Sequence, residues 1–235
     1  LLEMGITAMK IWPFDYAAEA TSGHHISPQD LATAMAPFEI IREKHGDRMD
    51  IMMEYHALWQ LPVALQIADA LKDFDIYWHE DPVPMDNFGD LAEYKKRTNV
   101  RVAGSENLGT KTWYREVFER RAIDVAHFDL CWIGGLTEGR KVAALAEAYD
   151  RPIAPHDCIG PVGFATAVHL SFSQPNTLIQ ESVRAYYTGW YRDLVTEIPR
   201  IENGYVYPME GPGLGTELQP AVFERPDLTV RRSEA

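Results

Sequence analysis

The feature that most constrains this chain is a repeat of short apolar segments, most of them closed by an ionisable side chain. Strand-length runs occupy residues 6–12, 49–54, 76–80, 100–106, 123–129, 151–156 and 176–181. The last six end on Glu54, Glu80, Glu106, Asp129, His156 and Glu181, at intervals of 26, 26, 23, 27 and 25 residues. Helical patterns lie between them. Ser27, Pro28 and Asp30 read as a helix N-terminus leading into Leu31, Met35, Phe38 and Ile41, with a kink expected at Pro37. A second helix is predicted from Pro62 through Val63, Ile67 and Leu71, and a third carries Val142, Leu145 and Ala146 after the Gly134–Gly135 turn. Strand, helix, strand at this spacing demands parallel strands joined by right-handed crossovers, and so an α/β sheet or barrel. An open sheet gathers its functional strand ends at one switch point, whereas a (β/α)8 barrel brings every strand end to one rim. Six consecutive ionisable endings favour the barrel.

A single acid after a strand is as readily a helix N-cap or a solvated loop residue. Six in register are different, because five carboxylates converging on one mouth repel and raise one another's pKa unless a cation sits among them. Glu54, Glu80 and Glu106 are consecutive in this set and offer hard oxygen ligands without cysteine, which points to magnesium. Glu54 falls in the stretch IMMEYHALW, residues 51–59, two positions before His56. Alternate side chains of a strand share a face, so strand parity predicts that Glu54 and His56 point the same way.

Bulk properties remove several other functions. A chain of 235 residues that is 46% hydrophobic and 24% charged can bury one large core. Its formal charge of −13 and pI near 5.0 oppose binding to nucleic acid or to an anionic membrane surface. No apolar run approaches the roughly 20 residues that span a bilayer. Two cysteines, Cys131 and Cys158, are too few for a disulfide scaffold and lack zinc spacing, so a reducing compartment, the cytoplasm, is expected. LLEMG at the start reads as the last turn of a helix capped by Gly5, as though an earlier part of the protein preceded it.

The motifs MKIWPF, HEDP at 79–82, GSE at 104–106, DLCWIGG at 129–135, APH at 154–156, the strand ending in Glu181 and PGLGTEL at 212–218 together resemble the mandelate racemase group of the enolase superfamily. The likeness runs over nearly the whole chain. It implies a (β/α)8-type barrel in which residues 1–203 supply strands two to eight and residues 204–235 form a tail packing on the barrel or on a cap. It also implies a first strand and an N-terminal α+β capping domain, and nothing in this sequence matches either. Enolase-superfamily sites pair a Lys or His base with magnesium that stabilises an ene-diolate. Carried over by position, the resemblance implies that Glu54, Glu80 and Glu106 bind Mg2+, that His156 is the base with Asp129 as its partner, and that Glu181 hydrogen-bonds the substrate or its enolate. A small-molecule acid as the only partner besides further copies of the chain, in a homo-oligomer, is the corresponding expectation.

Two departures from the group's pattern decide the reaction. Racemases of the group carry K-x-K on the second strand, but here Lys10 is followed by Ile11 and Trp12, so an indole replaces the second base while Lys10 remains as a cation for the substrate carboxylate. The first metal ligand is usually aspartate, and here it is Glu54. An acid-x-His pair at that point is similar to the sugar-acid dehydratases of the galactonate and mannonate kind, in which the histidine, here His56, is the general acid. Acid and base at one substrate is what β-elimination requires. The expected reaction is therefore dehydration of a sugar acid to a 2-keto-3-deoxy acid, with an epimerase, racemase or lactone cycloisomerase on the same scaffold, or a binding fragment, as alternatives. Among the remaining polar residues, Asp81 is expected beside the metal ligands, His79 towards the helices, and His24 and His25 on the rim loops. His127 and Cys131 share the face of Asp129 by strand parity, without a role from the resemblance.

Overall fold

The computed structural model describes residues 1–232; the last three residues of the expected 204–235 tail lie outside the described residues. In chain order the elements are β1 (Ala8–Ile11), α1 (Asp15–Thr21), α2 (Pro28–His45), β2 (Asp50–Glu54), α3 (Leu61–Leu71), β3 (Ile76–Glu80), α4 (Phe88–Thr98), β4 (Val102–Gly104) and α5 (Thr110–Glu119). There follow β5 (Val125–Ala126), α6 (Leu130–Ile133), α7 (Gly135–Ala148), α8 (Pro161–Ser173), α9 (Arg184–Tyr187), α10 (Tyr191–Leu194), β6 (Ile201–Glu202) and β7 (Tyr205–Val206). Strands β1 to β5 pair side by side in sequence order, all parallel. Parallel bridges from Ala126 to Ile153 and from Ile153 to Thr177 carry the order onward through the two segments read from the sequence as the last strands. This monotonic order is that of a barrel wall rather than of a doubly wound sheet.

The strands are shorter than the sequence suggests. β4 stops at Gly104 and β5 at Ala126, so Glu106 and Asp129 lie beyond the strand ends, and residues 151–156 and 176–181 contribute bridges in place of full strands. The backbone ladder nonetheless persists: the amides of His127, His156 and Glu181 donate to the carbonyls of Gly104, Phe128 and Pro155. Helix α2 begins at Ser27, whose hydroxyl accepts from the Asp30 amide, and runs through Pro37 to His45.

Alternation along the strands divides two apolar regions. Ile51, Met53, Val102, Ala126, Phe128 and Ile153 pack outward against the helices in the main core. Met52, Trp78, Ala103, Val125 and Ala154, with Ala8, form a smaller cluster on the inner side of the wall. Two residues further along, the same face carries Lys10, Glu54, Glu80, Ser105, His127 and His156. The inner cluster is thus the floor beneath a polar layer, which is what period-two geometry dictates. His79 has the opposite parity and faces the helices, where its Nδ1 lies 2.6 Å from the Tyr94 hydroxyl and 3.0 Å from that of Tyr55.

Gly23 shows how the rim loops are seated. Its φ of +71° is open to glycine, and a Cβ there would meet the Leu58 carbonyl oxygen at 2.0 Å. The Gly23 carbonyl in turn accepts from the Gln60 amide, so the loop after α1 presses on the loop that carries His56. At the other end of the chain, the boundary between 203 and 204 falls in the turn of the antiparallel β6–β7 hairpin. Beyond it the chain returns to the barrel: Val195 pairs with Leu218, and the His169 imidazole of α8 lies 3.0 Å from the Leu214 carbonyl. No helix among the described residues is long and apolar enough to cross a membrane.

Burial alone pushes His79 down to about 3. A folded-state value below the unfolded one, about 6.5, means that its contribution to stability is whole above that pH and is lost as pH falls towards 3, by about 1.4 kcal/mol per pH unit. In urea titrations of the metal-free protein, His79→Gln is expected to flatten the slope of stability between pH 6 and 4 relative to the parent. Identical slopes in the two proteins would show that His79 does not carry this acid sensitivity.

Candidate active site

The polar layer converges on three glutamates. One oxygen from each of Glu54, Glu80 and Glu106 can be chosen so that all lie within 4.8 Å of one another. That spread is close to the roughly 4 Å between opposite ligands of one magnesium ion. Glu54 and Glu80 are buried at the ends of β2 and β3, whereas Glu106 is half-buried in the turn after β4. The Lys10 ammonium lies among the carboxylates, 2.5 Å from Glu80 Oε1, 2.8 Å from Glu181 Oε1 and 3.3 Å from Glu54 Oε2. Burial opposes its charge, but Glu181, Glu80 and Glu54 hold it well above the ordinary lysine range. Burial and the neighbouring Glu80 push Glu54 up, although Lys10 acts the other way. Glu80 is held well below its ordinary value because His127 and Lys10 outweigh its burial.

These residues fit a divalent cation on their own chemistry. Glu54 Oε2 is buried without a hydrogen-bond partner, and the donors are hard oxygens. Glu54, Glu80 and Glu106 would hold the ion. Asp81 lies beside them as expected, with Oδ2 accepting from the Ser105 hydroxyl at 2.5 Å, and burial with the adjacent Glu80 pushes it up to about 7.

Beside the glutamates lies a histidine–aspartate pair. His156 Nδ1 is 2.8 Å from Asp129 Oδ2, and His156 Nε2 is 3.0 Å from Glu106 Oε2 and 3.8 Å from Glu181 Oε2. Asp129 also caps α6, its Oδ1 accepting from the Cys131 amide at 2.6 Å, so one carboxylate both starts the helix and holds the imidazole. Burial opposes charge on His156, yet hydrogen bonding to Asp129 and the nearby Glu181 and Glu106 push it up to about 11.

The structure therefore joins Lys10, Glu54, Glu80, Glu106, Asp129, His156 and Glu181 in one continuous set of contacts. His56 belongs to the same rim, but the parity argument for it fails. β2 ends at Glu54, and His56 stands in the following turn at φ +49°, with Ala57 at +56°. Its amide donates to Glu54 Oε1 at 2.6 Å, while its ring turns to Asp15, with Nδ1 2.7 Å from Oδ2. Cys131 likewise lies in α6 rather than on a strand face shared with Asp129. His24 and His25 are exposed between α1 and α2.

The resemblance implies no role for His127, yet it is a member of the site. Its Nε2 is 3.0 Å from Glu80 Oε1 and 3.5 Å from Glu181 Oε2, and Trp78 donates to Glu80 Oε2 at 3.0 Å. Alternation from Val125 already put His127 in the polar layer; Asp15, which lies on a helix that the sequence reading did not include, left no such signal.

Comparison with known proteins bears on this arrangement. The family described as enolase C-terminal domain-like matches residues 1–222. A D-xylonate dehydratase of Haloferax volcanii is 33% identical over 223 residues, 92% of this chain and 53% of that protein. A D-gluconate dehydratase of Thermoproteus tenax is 31% identical over 221 residues, 94% of this chain and 44% of its own length. The chain thus spans about half the length of these curated relatives. Among solved structures, an enolase of the mandelate racemase subgroup from Agrobacterium tumefaciens superposes with a TM-score of 0.92 at 50% identity, covering 95% of this chain and 61% of that one. An enolase protein from Sargasso Sea environmental sequence gives 0.93 at 43% identity, over 100% of this chain and 63% of that one.

Burial and Glu80 raise the affinity of Glu54 for a proton, so a divalent cation bound there is expected to compete with it. Calorimetric titration of Mg2+ in two buffers of different ionisation enthalpy is expected to show net proton release, with affinity falling as the pH is lowered. Glu80→Gln is expected to weaken binding at least about 100-fold, beyond what an outer partner costs. Buffer-independent heats together with an unaffected Glu80→Gln protein would exclude this cluster as the metal site.

Proposed function

The chain belongs to the enolase C-terminal domain-like family, and from that premise we propose that it supplies the barrel of a magnesium-dependent hydro-lyase that dehydrates a sugar acid to a 2-keto-3-deoxy acid. The observation that carries this reading is the presence of two histidines at one rim, each fixed through Nδ1 by an aspartate, with Trp12 where a second basic lysine would be needed for racemisation. The dehydratase names of the Haloferax and Thermoproteus relatives support it. The exposed free cysteines Cys131 and Cys158 accord with a cytoplasmic setting.

His156 is the base. Asp129 occupies its Nδ1, leaving Nε2, 3.0 Å from a Glu106 oxygen, to receive the proton next to the substrate carboxylate; Glu106 would be among the residues holding the metal. When bound, magnesium supplies positive charge that offsets the substrate carboxylate and the negative charge developing there as the proton leaves. Lys10 adds a fixed cation at the same point, and Glu181, 2.8 Å from it, presents an acceptor to the substrate hydroxyls. His56 protonates the 3-hydroxyl as the C–O bond breaks, which leaves an enol that tautomerises to the 2-keto product. His156 contacts Glu106 and the His56 amide contacts Glu54, so both histidines border the same glutamate cluster, where one bound substrate would meet them.

A panel of sugar acids tested with the full-length enzyme is expected to yield a 2-keto-3-deoxy acid from at least one member. His156→Asn should abolish both product formation and exchange of the α-proton with D2O. His56→Asn should lower dehydration by about 100- to 10,000-fold, the usual contribution of a general acid, while exchange continues. An isomerised product without any keto acid would transfer the protein to the epimerase or cycloisomerase class.

A further inference from the structure

Asp15 begins α1, in the loop that leaves β1 just past Trp12. Its Oδ2 is 2.7 Å from His56 Nδ1, and its Oδ1 is buried with no hydrogen-bond partner, so the carboxylate is directed to the imidazole. The His56 backbone is held on three sides. Its amide is bonded to Glu54 Oε1, the Ala57 amide to the Asp81 carbonyl, and the Leu58 amide to the Tyr55 carbonyl. Two successive residues with left-handed φ persist only where their surroundings over-determine them, and such strain concentrates at functional sites. Trp12 packs edge-on against the ring, centroid to centroid 6.0 Å, and is itself 54% exposed. An isolated surface ion pair would show none of these constraints and would contribute little.

The arrangement reproduces the Asp129–His156 pair, Nδ1 to carboxylate in both, at 2.7 and 2.8 Å. We propose that Asp15 is a positioning residue that holds His56 with Nδ1 as donor and Nε2 towards the substrate, Trp12 closing the ring's other side. The proposal rests on the reading of His56 as general acid. An imidazole free to flip would present either nitrogen in turn; one tied through Nδ1 presents Nε2 alone, and after giving up its proton it remains in the Nδ1–H tautomer ready to be reprotonated at the same atom. The indole in the place of a second lysine thereby has a use, since it walls the general acid in place of supplying a second base.

The test compares Asp15→Asn, Asp15→Glu and His56→Asn in the full-length, magnesium-loaded enzyme. Histidine labelled with 15N reports the tautomer of His56, assigned by the signal missing from His56→Asn. In Asp15→Asn the His56 signal is expected to shift from the Nδ1–H to the Nε2–H form. Keto-acid formation should lose about 10- to 100-fold in kcat, as is typical for removal of an outer partner, with KM within about threefold and α-proton exchange unchanged. Asp15→Glu should recover part of kcat. An unshifted tautomer, or exchange and dehydration falling together as in a damaged fold, overturns the proposal. A shifted tautomer with an unaltered kcat does so too, provided His56→Asn is impaired; if His56→Asn dehydrates normally, the general-acid reading beneath it has failed instead.

Discussion

The gathering of Glu54, Glu80 and Glu181 around the Lys10 ammonium is the constraint from which the rest of this structure follows. Two of these carboxylates are fully buried, and uncompensated buried charge is far more destabilising than any single packing defect. Compensation comes from several elements at once: Lys10 from β1, His127 beyond β5, the Trp78 indole from β3. No two neighbouring strands could supply this set. A parallel wall that brings distant strand ends to one rim can, and the apolar floor of Met52, Trp78, Ala103, Val125 and Ala154 excludes water from below. Lys10 and Glu181 come from opposite ends of the strand order and meet at 2.8 Å, so the electrostatic cluster itself helps draw the wall round.

Much of this was legible because two simple periods survive in the sequence. The interval of about 25 residues marks the βα repeat, and alternation on β2 and β3 puts Glu54 and Glu80 with Met52 and Trp78 on the inner face. Spacing also picks out Glu106, Asp129 and Glu181, which stand past the regular strands, Glu106 in a turn and Asp129 at a helix cap. There the two readings of an end-of-strand acid prove compatible, for Asp129 is both a helix cap and the partner of His156.

The residues that escaped reading did so for definite reasons. His56 was assigned through alternation across a strand that in fact ends at Glu54; a pair of left-handed residues, not the pleat, aims its ring. Asp15 comes from a seven-residue helix whose short apolar pattern, Ala17 and Ala18, is too brief for periodicity to detect. His127 shares the face of Asp129 by strand parity, but nothing in its own segment marks a role, because the carboxylates it contacts belong to β3 and to residues 176–181.

The proposed division into base and acid requires that two Asp–His pairs of the same geometry have different surroundings, and here they do. His156 is 6% exposed, and against its burial the hydrogen bond to Asp129 holds its affinity for a proton up, with Glu181 and Glu106 adding to it; of these only Glu106 belongs to the set that would hold a metal. A cation held by Glu106 would offset that carboxylate's charge and lower the ring's affinity for a proton, as the proposed base role requires. The His56 side chain is 38% exposed, and its charge depends chiefly on Asp15, which is no part of the glutamate cluster. A divalent charge at the glutamates would thus act more directly on His156, which Glu106 contacts, than on His56, which Glu106 reaches only at longer range, so the proposed base and acid can differ without any difference in the pairs themselves.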